Sequence, residues 1–152
     1  MKPQAPGPRP QAPSSHESRV TRHELERWGE ELGRSLRAPT IITLQGDLGT
    51  GKTTLAQAIC RGVGVREDVT SPTFALVNEY HAERATVFHL DLYRLQGPDD
   101  LTNLAWDDVI NSDAIIIVEW PERAGTGMPA DALKIRLEHV DGDEYHRRLI
   151  LA

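Results

Sequence analysis

A chain of 152 residues with 39% apolar side chains is long enough for one folded domain with a real core and too short for two. Its net charge of −6 and pI near 5.5 exclude a broad basic surface that grips nucleic acid unaided, so a role on RNA would run through a partner. The single cysteine, Cys60, excludes an internal disulfide, and no apolar run reaches the length of a membrane span or forms a signal-peptide core, so the expected compartment is the cytoplasm.

The first stretch, Met1 to about Ser18, carries Pro3, Pro6, Pro8, Pro10 and Pro13 among Gln, Ala, Gly and Ser. Such a composition buries too little apolar surface to fold, and it predicts a disordered tail ahead of a single domain over 19–152. Thr21 with Glu24 has the capping-box pattern, and Leu25, Trp28, Leu32 and Leu36 follow at helical spacing. A helix from Arg22 to Leu36 is expected, ended by Pro39. Trp28 is read as part of its core-facing stripe, with stacking on a nucleotide base as the alternative.

Thr40 to Leu44 is β-branched and apolar, as a buried parallel strand is. Directly after it comes Gly46-Asp47-Leu48-Gly49-Thr50-Gly51-Lys52-Thr53-Thr54, a full match to G-x-x-x-x-G-K-[ST]. Leu55, Ala56, Ala58, Ile59 and Val63 then recur at helical spacing, with Cys60 among them as a small buried hydrophobe. Strand, glycine loop and helix is the context a phosphate-binding loop requires. Chance alone produces this pattern on the order of once in two hundred chains of such length.

Each residue type in the loop has a physical task. Glycines let the backbone approach phosphate oxygens, so that N–H groups from Asp47 to Thr54 line an anion site at a positive helix N-terminus. Lys52, expected as an exposed charge, would reach the β- and γ-phosphates, and the Thr53 hydroxyl would take one position on Mg²⁺.

Beyond Gly62 and Gly64 the chain crosses to Ser71-Pro72-Thr73-Phe74, where Thr73 would offer the metal a second hydroxyl or simply sit in a turn. Phe74 to His81 and Ala85 to Asp91 are short strand-like runs whose close spacing makes them an antiparallel hairpin. Pro98 opens a further helix, with Asp99 and Asp100 in its first turn and Leu101, Leu104, Ala105 and Val109 on one face. Ala114 to Val118 is the most hydrophobic run and reads as a central parallel strand. Leu133, Ile135 and Leu137 alternate with polar residues, and Asp141-Gly142 turns the chain into Tyr145 to Leu151, an antiparallel ribbon expected at the sheet edge.

Two acids fall where strands end. The strand period of two puts His89 and Asp91 on one face, and Glu119 directly follows the central strand. Asp91 is assigned to Mg²⁺, directly or through a water, and Glu119 to positioning or activating the attacking water. On these grounds the two roles are interchangeable. Arg94 and Arg123 are candidates for neutralising phosphate charge, or plain surface partners of carboxylates. The six histidines lack the spacings of a zinc site.

Taken together, the glycine loop, Ser71-Pro72-Thr73-Phe74, His89-Leu90-Asp91-Leu92-Tyr93-Arg94 and Val118-Glu119-Trp120-Pro121-Glu122 resemble the TsaE (YjeE) family. The resemblance runs from about Thr21 to Leu137. It implies an α/β P-loop NTPase-like fold of three layers with a mixed, mostly parallel central sheet. It also implies a Mg²⁺-dependent ATPase that acts with TsaB and TsaD in threonylcarbamoylation of the adenosine beside the anticodon of tRNAs reading ANN codons. In that family the transfer itself belongs to the partner, and tRNA is met through the complex. Carried over by position, Lys52 and Thr53 bind phosphate and Mg²⁺, Thr73 lies in a switch-like loop, Asp91 is the metal-side acid, and Glu119 and Trp120 complete the site. Three positions depart from the family pattern: Thr50 replaces a frequent Ala, Leu25 a frequent Thr, and Ala105 a usual Gly.

A small-molecule kinase with the same loop is the alternative. Its usual arginine-rich lid is missing from the one candidate stretch, Pro121 to Ala130, which holds a single arginine. A GTPase-type switch is disfavoured because the chain has neither an [NT]-K-x-D nor a D-x-x-G motif.

Overall fold

The computed structural model describes residues 16–70, 77–96 and 98–152. Seven strands, β1 (His16–Thr21), β2 (Thr40–Gln45), β3 (Val77–His81), β4 (Thr86–Asp91), β5 (Ile115–Glu119), β6 (Leu133–Val140) and β7 (Asp143–Leu151), form one sheet in the order β1-β7-β6-β2-β5-β4-β3. The central pairs β6-β2, β2-β5 and β5-β4 are parallel, and the outer pairs β1-β7, β7-β6 and β4-β3 are antiparallel. This is the expected mixed sheet with its parallel centre.

Helices α1 (Arg22–Ser35) and α2 (Lys52–Val63) cover one face. The other is covered by a 3₁₀ segment, Pro98–Leu104, and the short α3 (Trp106–Ile110), with a further 3₁₀ turn at Pro121–Gly127. Strand parity divides the core. Ile115 and Ile117 of β5 face α1 and α2, whereas Ile116 and Val118 face the second layer. All four are at most 1% exposed, and burying each contributes roughly 1.5–3 kcal/mol, which makes β5 the anchor of the sheet.

Helix α1 opens with the predicted capping box: the Glu24 N–H donates to Thr21 Oγ1 at 3.1 Å and the Thr21 N–H to Glu24 Oε1 at 2.9 Å. Trp28 is half-buried and packs against the core on this side. The two helices approach so closely that a β-carbon at Gly33 would press on the Ile59 carbonyl and one at Gly62 on the Glu30 carbonyl. Cys60 lies fully buried between them and the sheet, and burial pushes its thiol up to about 12. The turn between β3 and β4 adds a clamp: Arg84 donates to the Leu36 carbonyl at 2.6 Å and to the Gly33 carbonyl, occupying acceptors at the end of α1.

Three expectations are corrected. His16 to Ser18, assigned to the tail, are strand: they pair with Leu151, Ile150 and Leu149, because the β6-β7 ribbon leaves an open edge that an extended segment satisfies. The ribbon is therefore internal and β1 forms the edge. Residues 1–15 of the expected tail lie outside the described residues, as do 71–76 with Thr73. Finally, the helix expected from Pro98 is broken. Ala105 adopts φ 52°, ψ 44°, so a 3₁₀ segment precedes it and α3 follows it.

That last conformation has a cost. A left-handed alanine is less favourable than glycine by about 1 kcal/mol. Ala105→Gly is expected to raise the melting temperature by about 2–4 °C, read by thermal denaturation at pH 7.

Candidate functional site

The site forms where β2, β5 and β4 deliver their carboxyl ends to one edge of the sheet. β2 runs into the glycine loop, and β5 and β4 are in register there, with Leu44 opposite Glu119 and Glu119 opposite Asp91. Main-chain bonds lock the arrangement: the Trp120 N–H donates to the Leu44 carbonyl at 3.3 Å and the Leu92 N–H to the Glu119 carbonyl at 3.1 Å. Positions 87, 89 and 91 of β4 and 115, 117 and 119 of β5 share the face covered by α2, so both predicted acids lie on the side from which that helix starts.

The loop's shape depends on its glycines. A β-carbon at Gly46 would run into the Leu137 carbonyl and stand 2.8 Å from Thr50 Oγ1. Gly51 caps α2 at φ 107°, a conformation that glycine adopts without strain. Thr50 is buried and its hydroxyl donates to the Asp47 carbonyl at 2.8 Å, bracing the turn from inside. From outside, Arg147 donates to the Gly49 carbonyl at 3.1 Å, and His139 Nε2 lies 3.1 Å from the Leu48 carbonyl. Leu48 itself projects into solvent at 63% exposure.

Lys52, the first residue of α2, is buried at 5% exposure and is not the surface charge its motif suggests. Its ammonium donates to the carbonyls of Gly46 at 2.6 Å and Asp47 at 2.9 Å and lies 4.3 Å from the ring centre of Trp120. Loss of water around it holds the ammonium below the usual lysine value, opposed by the negative charges of Glu119 and Asp91. Trp120 takes the left-handed conformation, φ 59°, which aims its ring over the lysine. A ladder continues outward. Tyr93 lies 4.9 Å from Trp120, and Arg123 lies 5.5 Å from the Tyr93 ring while donating to the Leu95 carbonyl at 3.0 Å. Arg123 thus braces this aromatic wall, and Arg94 is exposed.

Thr53 Oγ1 stands 3.3 Å from both carboxylate oxygens of Glu119. Glu119 is only 2% exposed, and its Oε2 is 2.6 Å from Nε2 of the fully buried His89. Asp91 is half-buried and accepts from the Tyr93 N–H at 3.0 Å. Burial raises the Asp91 carboxyl above its ordinary range, with the nearby Glu119 adding to the effect. Loop residues Asp47 to Thr54, Asp91, Glu119 and Trp120 are therefore brought to one place. Strand period sets His89 beside Asp91 in the sequence and indicates no task for it. The signal that marks it is a ring on the same face two residues before an acid, on a strand paired with the one that carries Glu119.

Fold and site define an α/β protein with a glycine loop that opens a helix beside two carboxylates at the end of a parallel sheet centre. The family model described as threonylcarbamoyl adenosine biosynthesis protein TsaE matches residues 20–149. The chain is 35% identical over 114 residues to the tRNA threonylcarbamoyladenosine biosynthesis protein TsaE of Treponema pallidum, covering 75% of this chain and 84% of that protein. With the protein of the same name from Streptomyces coelicolor it shares 39% identity over 122 residues, 78% of this chain and 82% of the relative. The crystal structure of Bacillus subtilis YdiB shares the fold, with a TM-score of 0.74 and 24% identity over 91% of this chain and 84% of that one. The chain belongs to the TsaE family.

The raised Asp91 carboxyl yields a signed expectation. A carboxylate whose folded value lies above its unfolded one costs stability once it ionises, so that cost is present above the carboxylate range and vanishes below it. Asp91→Asn keeps the acceptor for Tyr93 and removes the charge. The ligand-free variant is expected to melt higher than the parent at pH 7, with the gap closing as pH falls through the carboxylate range. Melting curves at several pH values check it.

Proposed function

We propose that this chain is the ATP-binding and ATP-hydrolysing component of tRNA threonylcarbamoyladenosine biosynthesis, working in the cytoplasm with TsaB and TsaD proteins and meeting tRNA through them. The observation that carries the reading is the convergence of Lys52, Thr53, Asp91 and Glu119 at the start of α2, in a chain of the TsaE family. No helix among the described residues is long and apolar enough to cross a membrane.

The donor set fits a magnesium nucleotide. Among the described residues the hydrogen-bond acceptors of the Lys52 ammonium are the neutral Gly46 and Asp47 carbonyls, which a polyphosphate outcompetes as an anionic partner. Two carboxylates beside a polyphosphate repel it, and a divalent cation between them removes the repulsion. Among the described residues no three of His, Cys, Asp and Glu converge to hold a metal unaided. That suits Mg²⁺, which takes one or two carboxylates and draws its remaining ligands from phosphate and water. Thr53, Asp91 and Glu119 are the residues that would hold it, with Thr73 as a further hydroxyl; bound there, it would supply Lewis-acid stabilisation of phosphate charge.

Within that frame Lys52 binds and orients phosphate. Trp120 covers the ammonium and keeps water from it. The nearness of Glu119 to Thr53 favours Glu119 as the acid closest to the metal, and it remains within the same cluster for orienting a water. Asp91, opposite it in register, supplies the second acid.

The test is ATP turnover by the purified chain, alone and with its cognate TsaB and TsaD proteins. Turnover is expected to be slow alone and raised by the partners. Lys52→Ala is expected to abolish nucleotide binding, with melting curves confirming that the fold persists without this buried contact. Glu119→Ala is expected to bind nucleotide and lose hydrolysis by roughly 10²-fold or more. Turnover indifferent to the partners would instead support a small-molecule phosphotransferase, and normal ATP affinity in Lys52→Ala would sink the loop assignment.

A further inference from the structure

The His89 ring is wholly buried on the face of β4 that packs toward α2, two residues from the apolar Val87 on its own strand, with Ile117 opposite it on β5 and Asn78 opposite it on β3. Nδ1 is buried and has no hydrogen-bond partner among the described residues. A leucine would fill this position without burying an unpaired polar atom, so packing alone does not account for a histidine. Among the described residues the ring's one hydrogen-bond partner is Glu119, through Nε2 at 2.6 Å. That contact also assigns the donor: with the proton on Nδ1 only, two lone pairs would face each other across 2.6 Å and an N–H would be buried unpaired.

We propose that His89 is a positioning residue that fixes the Glu119 carboxylate, donating to Oε2 so that the carboxylate stays turned toward Thr53 and the metal-side volume. The inference rests on the nucleotide-hydrolysing role of Glu119 given above. A carboxylate at the end of a strand has free rotation about its side-chain bonds, and buried without a donor it would swing out to water. A hydrogen bond from a ring locked in the core removes that option. It occupies one lone pair and leaves those on the Thr53 side for a metal or water. This is the arrangement by which groups behind a metal ligand set its orientation, and their removal typically costs 10- to 100-fold in metal affinity or activity.

The experiment uses the full chain as wild type, His89→Leu, His89→Gln and Lys52→Ala. Three quantities are read: melting temperature, affinity for a fluorescent ADP with EDTA and with Mg²⁺, and steady-state ATP turnover with TsaB and TsaD proteins. His89→Leu is expected to melt at or above wild type and to bind the nucleotide in EDTA within about twofold of it, because Lys52 and the loop are untouched. Its Mg²⁺-dependent gain in affinity and its kcat are expected to fall by about 10- to 100-fold, with KM changing far less. His89→Gln, whose side-chain amide carries an N–H donor on a flexible stem, is expected to recover a large part of both losses. A merely structural role would move melting temperature and leave the Mg²⁺ increment alone. His89→Leu with wild-type Mg²⁺ gain and kcat, or His89→Gln no better than His89→Leu, would overturn the inference while the Lys52-dependent turnover of the wild type kept the proposed function standing. Absence of that turnover in the wild type would bring down both.

Discussion

A carboxylate at 2% exposure, placed at the end of a strand whose other four residues are entirely apolar, is the constraint around which this protein is arranged. Glu119 does not sit there unpartnered, because a carboxylate buried without donors gives up its hydration and receives nothing in exchange. Its neighbours answer that demand. His89 reaches it from β4, Thr53 from the first turn of α2, and Lys52 brings a positive charge into the same volume. One partner comes from β4 and two from the start of α2, so the acid ties β4, β5 and α2 together at the point where the chemistry is proposed.

The sheet makes this possible through parity. β4 and β5 run parallel and in register, so their alternate residues fall on a common face, and the last of those on each strand is an acid. The intervening residues, Phe88, Leu90, Ile116 and Val118, serve the opposite layer. A shift of one residue in either strand would carry its acid to the far side and put hydrophobic side chains against the loop. Apolar packing on both faces thus sets the chemistry's geometry as well as the fold's stability.

Much of this was legible in the chain itself. The apolar run at Ile115 to Val118 and the alternation ending in Asp91 both follow from strand period, and the capping box at Thr21 and Glu24 marked the start of α1 to the residue. What stayed hidden depends on contacts between distant residues. Nothing local in Lys52 says that Trp120, 68 positions on, will cover it, and nothing in His16 to Ser18 says that β7 needs a partner. The break at Ala105 is hidden for another reason: alanine is the strongest helix former, and only the surrounding packing holds it left-handed. The glycine usual at this position in the resembling family is the residue that such a backbone favours.

The burial of Cys60 has a practical side. Its sulfur is sealed beneath α1 and α2, and with the thiol pushed up to about 12 almost none of it is thiolate at neutral pH. Toward maleimides and other alkylating dyes the native chain therefore behaves as a cysteine-free protein. A thiol introduced at the solvent-facing Leu48 would be the one reactive handle, placing a fluorophore on the glycine loop without prior removal of the natural cysteine.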